Sequence, residues 1–237
     1  MSGWLNLGQN LKVNAKKFPN TVALKDRTRT FTYPQANKRV NKLAHSLLSM
    51  GLSKGDKVAV LLENSIEIVE VYLATAKTGI IIVPINFRLV SSEVEYIADN
   101  SDAKAFIVHD DFVSTVDPIK ARLKNIAADN YIVVGQTVAG YRPYETFIEN
   151  SADVEPVAEV APEDTWILIY TSGTTGKPKG ALLTHENVVE TIQGLHPPVG
   201  LGQLFDFDGT HEGSRLLFPF VQTGEKEVND RSEQVDE

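Results

Sequence analysis

Two apolar runs, Trp166-Ile-Leu-Ile-Tyr170 and Gly180-Ala-Leu-Leu-Thr184, are separated by Thr171-Ser-Gly-Thr-Thr-Gly-Lys-Pro-Lys179. The intervening residues are nearly all of types that suit a polyphosphate. Thr171, Ser172, Thr174 and Thr175 carry hydroxyls, and Lys177 and Lys179 carry ammonium groups. Gly173 and Gly176 let the backbone come close to a ligand and adopt positive φ without a Cβ clash. Successive N–H groups in such a turn form a concavity for anions, and lysines add point charges for phosphate oxygens. Pro178 stiffens the way out. The stretch is expected to be a polyphosphate clamp between two buried strands.

A Gly/Ser/Thr-rich segment is also what a plain surface turn is made of. Here it interrupts two strand-like apolar runs instead of joining solvated elements, which favours the anion site. The Walker A loop, the obvious rival, fails on spacing. It needs four residues between its first glycine and a Gly-Lys pair, followed by Ser or Thr. Gly173 and Gly176 are separated by two residues, and Pro178 follows Lys177. A P-loop NTPase is excluded.

Other polar groups carry less. His185 follows the loop at an expected helix start and could face a nucleotide, but a structural role is the ordinary fate of a single histidine there. Asp206, Asp208, His211 and Glu212 are metal-type ligands crowded together, without EF-hand spacing; a solvated acidic loop accounts for them. Asn86 and Arg88 lie just past a strand end, where α/β folds place ligands. Arg27 and Arg29 are expected to face solvent.

Strand-like and helix-like segments alternate along the chain, the pattern of an α/β fold with a mainly parallel sheet flanked by helices. Residues 7–17 form an amphipathic helix, and 22–25 with 29–33 form a hairpin. From Pro34 a helix buries Ala36, Val40, Leu43, Ala44 and Leu47 and ends at Gly51. A strand over 58–62 leads to a helix capped by Ser65 and closed by Gly79. Strand 80–83 is stopped by Pro84. Ser92-Glu-Val-Glu95 fits a capping box, and strand 103–108, helix 114–124 and strand 131–135 follow. The spacing divides the chain into a first α/β lobe over 1–142, a connector over 143–163, and a strand–loop–strand–helix unit over 164–194 that opens a second lobe. The helix after the loop is capped by Thr184 and runs through Gln193. Residues 195–237 lack periodicity, end almost wholly polar, and are expected to be largely disordered.

The 237 residues can bury a sizeable core, and 42% hydrophobic with 23% charged content is ordinary for a globular protein. A net charge of −8 argues against general nucleic-acid affinity. It makes the lysines of 177–179 a local positive spot on an acidic body. There is no cysteine, hence no disulfide, thiolate nucleophile or cysteine metal site. No basic-then-apolar leader and no run of about 18 apolar residues is present, so a cytoplasmic chain without integral membrane contact is expected.

The run TSGTTGKPKG resembles the phosphate-loop signature of the adenylate-forming (AMP-binding) superfamily, which includes acyl-CoA synthetases, luciferases and peptide-synthetase adenylation domains. Thr30-Phe-Thr-Tyr33, Gly55-Asp-Lys-Val-Ala-Val60 with Glu63-Asn64, Val83-Pro-Ile-Asn-Phe-Arg-Leu89 and Ala103-Lys-Ala-Phe-Ile-Val108 agree in order and spacing. The resemblance covers roughly residues 1–193, and within the superfamily it is most like a bacterial long-chain fatty-acid–CoA ligase. It implies an incomplete N-terminal domain of the acyl-CoA synthetase/luciferase-like fold. It also implies ATP, Mg2+, a carboxylic acid and CoA as reactants, with pyrophosphate leaving. Carried over by position, Thr171, Ser172, Gly173, Thr174, Thr175, Gly176, Lys177 and Lys179 hold the phosphates, most directly Ser172, Thr174, Thr175 and Lys179. The same resemblance leads to an aromatic-Gly-x-Thr-Glu segment, a Thr-Gly-Asp segment and a later catalytic lysine, none of which is found. Phe218-Pro-Phe-Val-Gln222 stands where a Pro-Leu-Phe-His run is usual. Two expectations follow: an acid–CoA ligase by descent, or a non-catalytic phosphate-binding remnant. A sheet edge left open beside the loop unit would favour self-association.

Overall fold

The computed structural model describes residues 6–171 and 176–194. Helix α1 (Leu7–Lys17) precedes the hairpin β1 (Val22–Lys25) and β2 (Thr30–Thr32), and α2 (Tyr33–Ser49) follows. Next come β3 (Lys57–Leu61), α3 (Ile66–Thr78), β4 (Ile81–Pro84), α4 (Ser91–Asn100), β5 (Ala103–His109) and the short α5 (Val113–Val116). The described chain continues through β6 (Tyr131–Val134), β7 (Arg142–Pro143), α6 (Tyr144–Glu149), β8 (Thr165–Thr171), β9 (Lys179–Thr184) and α7 (His185–Gly194).

Seven strands form one sheet in the order β7-β6-β5-β3-β4-β8-β9. All neighbours are parallel except β8 and β9. The strand residues explain why both faces are covered. Val58 and Val60, Ile82, Ala105 and Ile107, and Ile132 point to one core, with α1, α2 and α3 packed on that side. Ala59 and Leu61, Ile81 and Val83, Phe106 and Val108, and Tyr131 and Val133 point to the other, against α4 and the segment after β5. Continuous apolar strands with side chains alternating between two buried faces are the signature of a parallel sheet between helical layers.

The cap residues do what their types dictate. The Ser65 hydroxyl accepts the Ile68 N–H (3.3 Å), and Gly79 closes α3 at φ +72°. Gly51 follows α2 at φ +88°. The expected capping box at Ser92–Glu95 is displaced by two residues: Val90 is the N-cap, α4 starts at Ser91, and Glu93 reaches back to accept the Val90 N–H (3.0 Å). The helix expected over 114–124 is four residues long, because Pro118 removes a donor and the chain turns into a 3-10 segment at Asp117–Ile119. At the start of the stretch read as a connector, β7 and α6 form; Tyr144 and Ile148, one turn apart, bury the inner face of α6.

Helix α3 is buried along its entire length, including Glu67, Glu70 and Lys77. Buried charges must be paired, and here every partner is a long-range one. Arg39 donates from Nε to Glu70 (2.5 Å) and from Nη2 to Glu145 (2.7 Å), while the Tyr144 hydroxyl donates to Glu70 (2.7 Å). Lys77 Nζ donates to Asn37, Asn41 and Glu155, each at 2.7 Å. Arg29, expected in solvent, turns inward and donates to Glu67 and Asp26, because the hairpin lies over the N-terminal turn of α3. Arg27 is exposed, as expected. Burial pushes the Glu70 carboxyl above its ordinary value despite Arg39, so that pairing is needed to keep it ionised. Removing Arg39 leaves a buried carboxylate with a single hydroxyl donor. Arg39→Ala is expected to lower the unfolding free energy by about 3–5 kcal/mol, read from urea titration; an unshifted midpoint would show that Glu70 needs no cationic partner.

Candidate functional site

The loop stands at the carboxyl ends of the parallel strands. β8 runs parallel to β4, with Ile167 beside Ile82, so its last residue, Thr171, lies on the same side of the sheet as Pro84, Leu61 and His109. Open α/β sheets place ligands at that side. β9 returns antiparallel, and the register fixes the mouth of the hairpin: Tyr170 lies opposite Gly180, and Thr171 opposite Lys179. A threonine hydroxyl and a lysine ammonium are thereby carried on facing backbone positions at the base of the loop, both on exposed residues. Gly180 is needed there for space, since a Cβ would meet Leu168 Cδ1 at 2.8 Å and the Tyr170 ring at 3.3 Å.

Of the eight expected phosphate-binding residues, Thr171, Gly176, Lys177 and Lys179 are described; Ser172, Gly173, Thr174 and Thr175 lie outside the described residues. So do Asp206, Asp208, His211 and Glu212. The two flanking strands are not equally buried. β8 carries fully buried Trp166 and Ile167, whereas β9 is partly exposed, Leu182 retaining 38% of its surface. β9 is the last strand in the sheet order, which corrects the expectation of two buried strands.

The hairpin is held at its base by an aromatic anchor. Trp166 donates its indole N–H to the Tyr72 carbonyl (3.0 Å) and Thr75 Oγ1 (3.1 Å), both on α3. His185 stacks on one face of the ring, with centroids 5.4 Å apart and planes at 9°. His185 is 1% exposed and does not face the loop as a ligand. Helix α7 starts here because Thr184 Oγ1 accepts the Asn187 N–H and Asn187 Oδ1 accepts the Thr184 N–H, each at 3.2 Å. The His185 and Glu186 N–H groups donate to the Asp164 and Pro162 carbonyls. Asn86 is occupied in a turn, its Oδ1 accepting the Arg88 N–H (3.0 Å).

Two residues of α4 that the sequence reading passed over touch the hairpin. The Tyr170 hydroxyl donates to Asn100 Oδ1 (2.7 Å), and Lys177 Nζ lies 5.1 Å from the centre of the Tyr96 ring. Their spacing, one helical turn, is a signal only once α4 is known to lie under the loop. Among the described residues, the one group able to converge on a metal ion is His109, Asp110 and Asp111. It sits at the end of β5, three strand positions from β8, or about 14 Å at the usual strand spacing. Among the described residues no helix is long and apolar enough to cross a membrane.

Comparison with known proteins decides the family, for residues 11–215 match the AMP-binding enzyme family. The chain belongs to that family. The match continues past residue 193, where the sequence resemblance was expected to end. The chain is 34% identical over 194 residues to the 3-oxocholest-4-en-26-oate–CoA ligase of Rhodococcus rhodochrous, covering 80% of this chain and 35% of that protein. It is 35% identical over 185 residues to the long-chain-fatty-acid–CoA ligase FadD13 of Mycobacterium tuberculosis, covering 77% and 36%. The inhibitor-bound N-terminal domain of FACL13 from Mycobacterium tuberculosis superposes with a TM-score of 0.71 at 32% identity, covering 78% of this chain and 46% of that one. The chain thus corresponds to the N-terminal portion of the family and spans about a third of the length of these two curated relatives.

The anchor gives a pH signature. Burial, reinforced by Lys54 and opposed by Asp164, lowers the His185 pKa to about 4 from 6.5. The unfolded chain therefore takes up a proton between those values that the folded chain refuses. Stability is full above pH 6.5 and falls as the pH drops toward 4, by about 3 kcal/mol. His185→Phe, which keeps an aromatic ring on Trp166, is expected to flatten the wild-type decline over that window in urea midpoints taken pH by pH. Parallel curves for the two proteins would remove His185 as the cause.

Proposed function

We propose that this chain grips the phosphates of ATP, or the pyrophosphate it releases, in an ATP-dependent acid–thiol ligase. In that reaction a carboxylate oxygen attacks the α-phosphorus, the bond to the bridging oxygen breaks, and pyrophosphate leaves. A thiol then displaces AMP from the acyl-adenylate to give a thioester. The observation that carries the reading is the hairpin itself. Its two strands meet the hydroxyl- and lysine-rich sequence at the ligand side of a parallel sheet, with Thr171 and Lys179 opposite one another. Charge builds on the β- and γ-phosphates as they leave, and donors already in place there lower the barrier. Magnesium in this reading arrives coordinated by the nucleotide's own phosphates, as is usual for that ion; the His109–Asp111 group is too far along the sheet to serve the loop.

Long-chain fatty acids are the acid class favoured, on the names of the relatives, with CoA as the thiol and the cytoplasm as the site. The outer edge of β9 supports self-association by strand pairing. A second reading, a phosphate-binding chain without catalysis of its own, is favoured by one observation. The sequence carries no aromatic-Gly-x-Thr-Glu or Thr-Gly-Asp segment to hold adenine and ribose. Losing contacts made only in the transition state costs orders of magnitude in rate.

Calorimetry with pyrophosphate and ATP tests the grip. Lys179→Ala is expected to weaken binding roughly 10–100-fold, the worth of a charge-assisted hydrogen bond, and unchanged affinity would refute a phosphate role for Lys179. Acid-dependent exchange of labelled pyrophosphate into ATP separates the two readings. The chain alone is expected to stay at the level of the Lys179→Ala control, and exchange well above it would make this polypeptide a ligase in its own right.

A further inference from the structure

Helix α4 meets both arms of the phosphate loop with a single turn. Asn100 accepts the Tyr170 hydroxyl at 2.7 Å, on the strand that leads into the loop. Burial raises the Tyr170 pKa, which keeps that hydroxyl protonated and donating at neutral pH. Tyr96, one turn earlier on α4, packs edge-to-face on Tyr170, with centroids 6.4 Å apart and planes at 85°. The same Tyr96 ring receives the Lys177 ammonium at 5.1 Å, on the arm that leads out of the loop. Pro178, just before β9, restricts the backbone of the preceding Lys177, which narrows the directions its side chain can take.

We propose that Tyr96 and Asn100 are positioning residues for the phosphate loop, and that Lys177 is a brace holding the outgoing arm onto α4 instead of a phosphate ligand. This rests on the reading of the hairpin as a phosphate grip. The two lysines of the loop then have separate work. Lys179, opposite Thr171 at the hairpin mouth, supplies charge to the ligand. Lys177 spends its charge on a ring face. A loop whose two arms are tied to one rigid helix has less freedom left to lose when an anion orders its N–H groups, and preorganisation of that kind appears as affinity. A cation over an exposed or half-exposed aromatic ring is a modest contact, enough for an effect of about 2–5-fold.

The test is a double-mutant cycle read by pyrophosphate calorimetry on the full chain, using Tyr96→Leu, Lys177→Met and their combination, with Tyr96→Phe as the conservative control. Each single change is expected to weaken binding about 2–5-fold, the pair to be no weaker than either single, and Tyr96→Phe to match wild type. Additive losses would show Lys177 acting on phosphate independently of Tyr96 and overturn the brace, as would unchanged affinity in Tyr96→Leu. A second readout needs no ligand. The Lys177 ε-methylene protons should be ring-current shifted upfield in wild type and Tyr96→Phe, and return to ordinary values in Tyr96→Leu; no upfield shift in wild type overturns the brace directly. A wild-type chain that binds no pyrophosphate overturns the phosphate reading and with it the positioning role, whereas the ring-current shift still decides whether the brace exists.

Discussion

The hairpin that carries the site depends on one buried indole. Trp166 is fully buried one residue into β8, and an indole N–H taken out of water must find an acceptor. It finds two on α3, the Tyr72 carbonyl and the Thr75 hydroxyl. Tyr72 meets the ring edge-on at 6.0 Å and 77°, and His185 covers one face. A single side chain thus ties the strand that leads into the loop, the helix that follows β9, and the most deeply buried helix of the domain.

A second constraint works through charge. α3 could be buried as an apolar helix, yet it carries Glu67, Glu70 and Lys77 inside. Their partners come from the hairpin, from α2, from α6 and from Glu155 in the long connector. For Glu155 burial works against ionisation, but hydrogen bonds from Lys77 and Asn37 outweigh it and lower its pKa. Such pairs contribute little net stability against an apolar alternative, while breaking one is costly. Their effect here is to fix where the connector runs, together with the buried Tyr144 and Ile148.

Much of this was legible in the sequence, for identifiable reasons. The parallel sheet showed in strands such as Val58–Leu61 and Phe106–Val108, apolar on both faces. Ser65 and Gly79 marked both ends of α3 through their own backbone chemistry. Residues 171–179 stood out because glycine, hydroxyl and lysine each suit the same anion. What escaped was non-local. Arg29 looked like a solvent residue because its carboxylate, Glu67, lies 38 positions away. Helix α6 is too short to show a period, and its identity comes from Tyr144 and Ile148 meeting a surface made by other segments. Tyr96 and Asn100 carry no motif; only the fold brings them under Tyr170 and Lys177.

In the function proposed above, recognition of the phosphates belongs to β8, β9 and the residues between them, apart from the remainder of an adenylate-forming reaction. The most direct measurement of that claim is a residue-by-residue map of backbone amide shifts as pyrophosphate is titrated into the 15N-labelled chain. The largest changes are predicted at residues 171–180, smaller ones at Tyr96 and Asn100, and none along α2. Changes centred on α2, or a saturating titration that leaves 171–180 unmoved, would contradict it.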